Sequence, residues 1–256
     1  MATSTPTRSL NSFQLLSFDI YATLIDENTG IATALHPLTS RLPASSPLKT
    51  DRSALLEAFH NIEKALQRQH PTLLYPDILA QSYTGLAHAQ GIQLDDDNEA
   101  KTFAASMGSW PAFPDTVAAM QTLSKHYKLV PLSNVDRASF SKTLAGPLKG
   151  VSFDAIYTAQ DIGSYKPDVR NFEYLLRRAG EDFGVRKEGV LHVAQAWEVD
   201  IVPCRGVGLA SCWVRRGEEE RMGEGAGGGG YGWTFEDLGA FAEEVEREFE
   251  KKRDGG

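Results

Sequence analysis

The residues of this sequence best suited to chemistry are four short polar signals, each at the end of an apolar run: Asp19-Ile-Tyr-Ala-Thr23, Ser133-Asn134, Lys166-Pro167, and Ala194-Gln195 followed by Asp200. As a nucleophile, Asp19 would displace a leaving group from carbon or phosphorus and form an ester, which divides one hard step into two. Lys166 would hold that carboxylate ionised and oriented through charge-assisted hydrogen bonds. Thr23, Ser133 and Asn134 offer short neutral donors for a substrate carboxylate or for developing negative charge. Asp200 either orients Lys166 or the hydrolytic water, or caps the helix that follows it. Each signal alone has an ordinary structural explanation as a turn, a solvated loop or a helix start. Their recurrence in order, one per parallel strand, would gather them at one sheet edge, where open α/β folds bind ligands.

The elements that must position them alternate. The run Phe13 to Ile25 reads as a central strand covered on both faces. Further buried strands are predicted at Tyr127 to Leu132, Ala155 to Thr158, Val190 to Ala194 and Leu209 to Val214. Helices are predicted at Pro114 to Lys125, Asp136 to Leu144, Asp168 to Ala179 with Pro167 at its start, and Asp200 to Val207. A last helix is expected from Thr234 as N-cap, burying Leu238, Phe241, Val245 and Phe249. Such alternation implies parallel pairing with right-handed crossovers. Between Asn28 and Met107 nothing alternates like a strand. There Pro37, Pro43 and Pro47 mark loops, and helical faces run from Asp51 to Gln69 and from Tyr75 to Gly91, a C-terminal cap glycine. The fold class is therefore α/β: a Rossmann-like parallel sheet core (13–27 and 112–250) with an inserted helical cap (28–111), and flexible ends at 1–12 and 251–256.

The segments LSFDIYATLID, PLSNVDR, GSYKPDVRNFEYLL and LHVAQAWEVD resemble, in order, the four motifs of the haloacid dehalogenase superfamily, and the likeness spans almost the whole chain. It lies nearest the type II L-2-haloacid dehalogenases, in which a tyrosine occupies the place of Tyr21. The resemblance implies a covalent aspartyl ester at Asp19, with Lys166, Thr23 and Asp200 as the other catalytic residues. It places Tyr21, Ser133, Asn134, Gln195 and Phe172 around a small-molecule substrate. The superfamily's phosphatases carry an aspartate where this chain has Tyr21 and an acidic magnesium ligand where it has Gln195. A neutral amide is a poor ligand for a hard dication, so neither a metal nor another cofactor is expected. Three positions depart from the dehalogenase pattern. Ala22 replaces a glycine, Phe172 replaces a tyrosine, and the halide-receiving arginine of the cap has His60 nearest to it, with Arg41 and Arg52 as alternatives. Three functions stay open: a metal-independent hydrolase of 2-haloacid type, a phosphatase of small metabolites, and a non-hydrolytic binding or accessory protein.

Bulk properties narrow the partners. The net charge of -8 carries no basic stripe for a nucleic acid backbone. No apolar run is long enough to span a membrane, and the first residues lack the apolar stretch of a signal peptide. The two cysteines, Cys204 and Cys212, read as buried free thiols, so a cytoplasmic protein is expected, with a homodimer as one option. His192, inside an apolar strand, reads as a core histidine, and Asp95-Asp96-Asp97 as a solvated turn or helix start. The glycines from Gly225 to Gly230 match a dinucleotide fingerprint only in letters, since they lie in a low-complexity run.

Overall fold

The computed structural model describes residues 8–217 and 232–254. Six strands form one sheet in the order β3-β2-β1-β4-β5-β6: β1 Leu15–Phe18, β2 Lys128–Ser133, β3 Tyr157–Thr158, β4 Val190–Ala194, β5 Ala210–Val214 and β6 Trp233–Phe235. All five pairings are parallel. Every residue of β1 and of β4 is buried, as expected of central strands covered on both faces.

Alternation along the strands sorts side chains to two faces. Leu15 and Val190 pack with Phe172, Leu175 and Ala179, contributed by the helix Val169–Phe183. Leu16, Phe18, Leu191 and Val193 join the larger cluster on the other face, with Leu238, Phe241 and Val245 of the helix Leu238–Asp254. The register sets Ser17 opposite His192, so both fall on the face covered by Val169–Phe183. That pairing puts a polar pair directly beneath the site.

Between β1 and β2 lies the helical cap. The predicted helices are present as Arg52–Gln69, capped by the Asp51 side chain, and Tyr75–Ala89, followed by Gly91 at φ +67°. Shorter helices occur at Glu27–Ala34, His36–Thr39, Pro47–Thr50 and Asn98–Ser106, the second and third where the prolines predict loops. Each is too short for a full apolar periodicity, so pattern alone gave no signal. Gly30 permits the cap to close on Trp110, because a Cβ there would lie 2.2 Å from Trp110 Cγ.

Several boundaries differ from expectation. Thr234 lies in β6, and the last helix starts at Leu238 with Asp237 Oδ1 accepting from Ala240 N at 2.8 Å. Pro167 stands before the helix Val169–Phe183, whose N-cap is Asp168. Lys166 does not follow β3 directly, since the helix Ala159–Ile162 intervenes. Residues 10–12 form a 3-10 turn with Leu10 fully buried, whereas a flexible segment was expected; Tyr127 Oη donates to Leu10 O. Most of the glycine run lies outside the described residues. Among the described residues no helix is long and apolar enough to cross a membrane.

Candidate active site

β1 ends at Phe18 and hands Asp19 to the sheet edge, with Asp19 N still donating to Val193 O at 3.1 Å. The chain then folds on itself, and the N–H groups of Thr23, Leu24 and Ile25 all donate to Ile20 O. This tight turn forces Ala22 to φ +68°, a left-handed conformation costly for any residue with a Cβ. It also brings the Thr23 hydroxyl 2.7 Å from Asp19 Oδ2, while Thr23 Oγ1 accepts from Gln195 N at 3.0 Å. Thr23 thereby ties the loop after β1 to the loop after β4.

The opposite oxygen of Asp19 meets Lys166. Nζ stands 2.9 Å from Asp19 Oδ1 and 2.6 Å from Asp200 Oδ1, all three side chains being nearly or fully buried. Asp200 also receives His192 Nε2 at 2.8 Å, and the His192 Nδ1 lies 3.1 Å from Ser17 Oγ. One ammonium thus serves two carboxylates, and a row of groups runs from Ser17 through His192, Asp200 and Lys166 to Asp19 and Thr23. Burial works against the Lys166 charge, but the two carboxylates outweigh it and hold its pKa above the ordinary lysine value. Burial likewise opposes ionisation of Asp200, yet Lys166 and His192 carry its pKa below the usual carboxylate value. Asp19 goes the other way: burial raises its pKa, with Asp200 repulsion adding and Lys166 subtracting.

Other residues act as struts. Asn134 Oδ1 accepts from Lys166 N at 2.7 Å and its Nδ2 donates to Lys166 O at 3.0 Å, so this amide clamps the lysine backbone. Arg216 donates to Thr23 O at 2.8 Å and to both oxygens of Asp115, and its guanidinium covers the Phe113 ring. Nothing in the spacing of Arg216 marks it, because its partners Asp115 and Thr23 lie 101 and 193 positions away in the chain. Gln195 contributes through its backbone, its carbonyl accepting from Trp213 Nε1 at 2.9 Å. Ser133 closes β2 opposite Thr158 and is buried.

Two residues expected beside a substrate make their contacts within the protein. Phe172 is 0% exposed and packs edge to face on His192 at 5.6 Å, beneath the site. Asn134 spends its amide on Lys166, as described above. Asp200 is no helix cap: it lies within the turn Trp197–Ile201, and the helix after it is Val202–Gly206. His192, a core histidine by its burial, joins the site through Asp200.

The cap closes over Asp19 with aromatic and acidic side chains. Tyr21 packs edge to face with Trp110 at 5.9 Å, and its hydroxyl lies 2.9 Å from Thr143 Oγ1. Burial pushes the Tyr21 pKa far up, so it stays neutral. Tyr75 Oη donates to Glu63 Oε1 and lies 3.4 Å from Glu27 Oε1, while His60 Nδ1 lies 2.9 Å from Glu63 Oε2. Burial, then Glu63, raises the Glu27 pKa to about 7. The arginines considered for halide binding are engaged elsewhere: Arg41 on Glu99 at 2.6 Å and Arg52 on Thr29 Oγ1 at 2.7 Å.

Known proteins share this architecture. A model of the haloacid dehalogenase-like hydrolase family matches residues 13–203. An (S)-2-haloacid dehalogenase of Pseudomonas putida is 26% identical over 216 residues, 81% of this chain and 86% of that protein. A crystal structure of a defluorinating L-2-haloacid dehalogenase superposes with a TM-score of 0.75 at 20% identity, over 94% of this chain and 99% of that one. The L-2-haloacid dehalogenase of Xanthobacter autotrophicus gives 0.74 at 16% identity, over 91% and 98%. With the sheet order, the cap between β1 and β2 and the matched residues 13–203 together, the chain belongs to the haloacid dehalogenase-like hydrolases.

Proposed function

We propose that this protein is a metal-independent hydrolase that displaces a leaving group, a halide in the first instance, from C2 of a small carboxylic acid. The observation that carries it is the Lys166 ammonium, 2.9 Å from Asp19 Oδ1, which leaves a buried carboxylate oriented by two donors. In the first step an Asp19 oxygen attacks C2, the carbon–halogen bond breaks, and the halide leaves with the bonding pair. The product is an ester on Asp19. Water then adds to the ester carbonyl, the 2-hydroxy acid departs, and the Asp19 carboxylate is regenerated with release of a proton. Lys166 holds Asp19 for attack, and its pairing with Asp200 keeps it from neutralising the nucleophile fully. The second oxygen of Asp200, Oδ2, has no hydrogen-bond partner among the described residues and is the acceptor suited to orienting the water.

The donor set does not fit magnesium. Tyr21 supplies a neutral phenol directed at Thr143, Gln195 a neutral amide, and both Asp19 oxygens are engaged by Lys166 and Thr23. Carbon-centred displacement needs no dication, and the similarity to (S)-2-haloacid dehalogenases supports it. A chelator-treated screen of short 2-haloacids and phosphate esters tests the reading. Halide release that Asp19→Asn abolishes, with a substrate-sized mass on the Asp19 peptide in single turnover, is the expected outcome. Magnesium-stimulated phosphate release would overturn it. A second reading, a family member that binds without hydrolysing, is favoured by the engagement of Arg41 and Arg52 away from the site, and silence of the whole screen would put it first.

A further inference from the structure

Two non-glycine residues carry a positive φ among the described residues, Ala22 at +68° and Arg216 at +54°. That conformation is costly for any residue with a Cβ, and a bulky residue keeps it only where its surroundings hold it there. The two lie at either end of one contact: Ala22 directly precedes Thr23, and Arg216 Nε donates to Thr23 O at 2.8 Å. A glycine at position 216 would adopt the same φ freely, so what the arginine adds is its side chain. That side chain is 5% exposed.

It spans both connections between core and cap. The chain leaving β1 and the chain returning to the helix Thr116–Leu123 run side by side: Ile25 bridges antiparallel to Ala112, Asp26 N donates to Pro111 O at 2.8 Å, and Phe113 N donates to Leu24 O at 3.1 Å. Arg216 holds the outgoing chain at Thr23 O and the returning chain at Asp115, whose Oδ1 and Oδ2 accept from Nη1 at 2.7 and 2.9 Å. Its guanidinium also lies 4.1 Å from the centre of the Phe113 ring. Asp115 is in turn fixed to the core, since its Oδ2 accepts from Leu238 N at 2.8 Å and Gly239 N at 3.0 Å at the start of the last helix. A planar guanidinium fork serves a carbonyl and a carboxylate at once, where an ammonium is a single point. The residue so held, Thr23, donates its hydroxyl to Asp19 Oδ2 at 2.7 Å. We propose that Arg216 is a positioning residue for the nucleophile: it locks the two core–cap connections together and, through Thr23 O, aims the Thr23 hydroxyl at Asp19. The nucleophilic role of Asp19 rests on the function proposed above; the aiming of the hydroxyl does not.

Titration of the Asp19 carboxyl carbon by NMR in the full chain tests it, on wild type, Arg216→Met, Thr23→Val and the double variant. Burial raises the Asp19 pKa, and Lys166 and the Thr23 hydroxyl oppose it. Arg216→Met is expected to raise that pKa by about one unit, the size of one hydrogen bond lost from a carboxylate, as Thr23→Val does. Combined with Thr23→Val it is expected to add nothing further. An unmoved Asp19 pKa in Arg216→Met overturns the proposal. So does a shift that persists undiminished in the Thr23→Val background, because it assigns the effect to the guanidinium charge alone. Arg216→Lys keeps the charge without the fork and is expected to show the same shift; a wild-type value there overturns the proposal as well. Should Arg216→Met not fold, Arg216→Lys decides the matter by itself. The titration needs no substrate, so silence of the haloacid screen removes the nucleophile and leaves this result standing, while halide release with an unmoved Asp19 pKa in Arg216→Met removes only the positioning role.

Discussion

His192 Nε2 lies 2.8 Å from Asp200 Oδ1, linking the middle of β4 to the carboxylate that steadies Lys166. The bond follows from register: Ser17 and His192 pair across β1 and β4 on one face, and the turn Trp197–Ile201 drops Asp200 onto that face. Replacing His192 with Phe removes the donor and leaves Asp200 with Lys166 alone. Loss of one buried charge-assisted bond predicts about 1–3 kcal/mol lower stability in urea denaturation. The Asp200 pKa, held down in part by His192, should rise, and the acidic limb of the kcat profile should move to higher pH. An unmoved limb would limit His192 to packing.

Lys166→Met should be the most damaging change at neutral pH. It leaves Asp19 and Asp200 buried together without a cation, and breaking a buried pair in this way costs about 3–5 kcal/mol. The sign with pH is definite. Without the ammonium, both folded carboxyls have raised pKa values, so the stability they allow is present at low pH and is lost as pH rises. Denaturation at pH 4 and pH 8 should therefore show a smaller deficit at the lower pH.

Glu27 gives wild type a pH dependence of its own. Its folded pKa, about 7, lies above the ordinary value of 4.5, chiefly through burial. A raised pKa means a stability contribution fully present below about 4.5 and lost as pH climbs to about 7. Glu27→Gln should flatten the stability profile across that window and leave it unchanged above and below. Melting curves at half-unit intervals check this, and a wild-type slope that persists in the variant would assign it to another group.

Ala22 at φ +68° and Gly30 beneath Trp110 make a matched pair of backbone tests. Ala22→Gly relieves a left-handed Cβ and should stabilise by up to about 1 kcal/mol, less what the freer unfolded chain takes back. Gly30→Ala should cost on the order of 1–3 kcal/mol, since the new methyl must displace the indole. Near-ultraviolet circular dichroism should report the altered Trp110 packing in the second variant and not in the first.

The core strands were legible because burial on both faces writes itself as short apolar runs, and β4 was read to the residue. The polar end of β1 likewise announced Asp19 and Thr23, since a charged or hydroxyl side chain after a buried strand has few places to go but the sheet edge, whereas Lys166 reaches that edge from beyond the helix Ala159–Ile162. Phe172 had two readings, an inward position of its helix by periodicity and a substrate neighbour by resemblance, and the rotation of the helix Val169–Phe183 sets its ring on His192. Thr234 was misread because a three-residue edge strand carries no periodicity of its own.

By itself the sequence determined the parallel α/β core with its helical cap, and it singled out Asp19 and Lys166 as candidate site residues. Those follow from local burial patterns and from residue types at strand ends. Only the tertiary structure decided that Asp200 grips Lys166 instead of capping a helix, and that Asn134 holds the lysine backbone. Each of these joins segments distant in the chain, and their meeting depends on strand register and helix rotation, which no local spacing encodes.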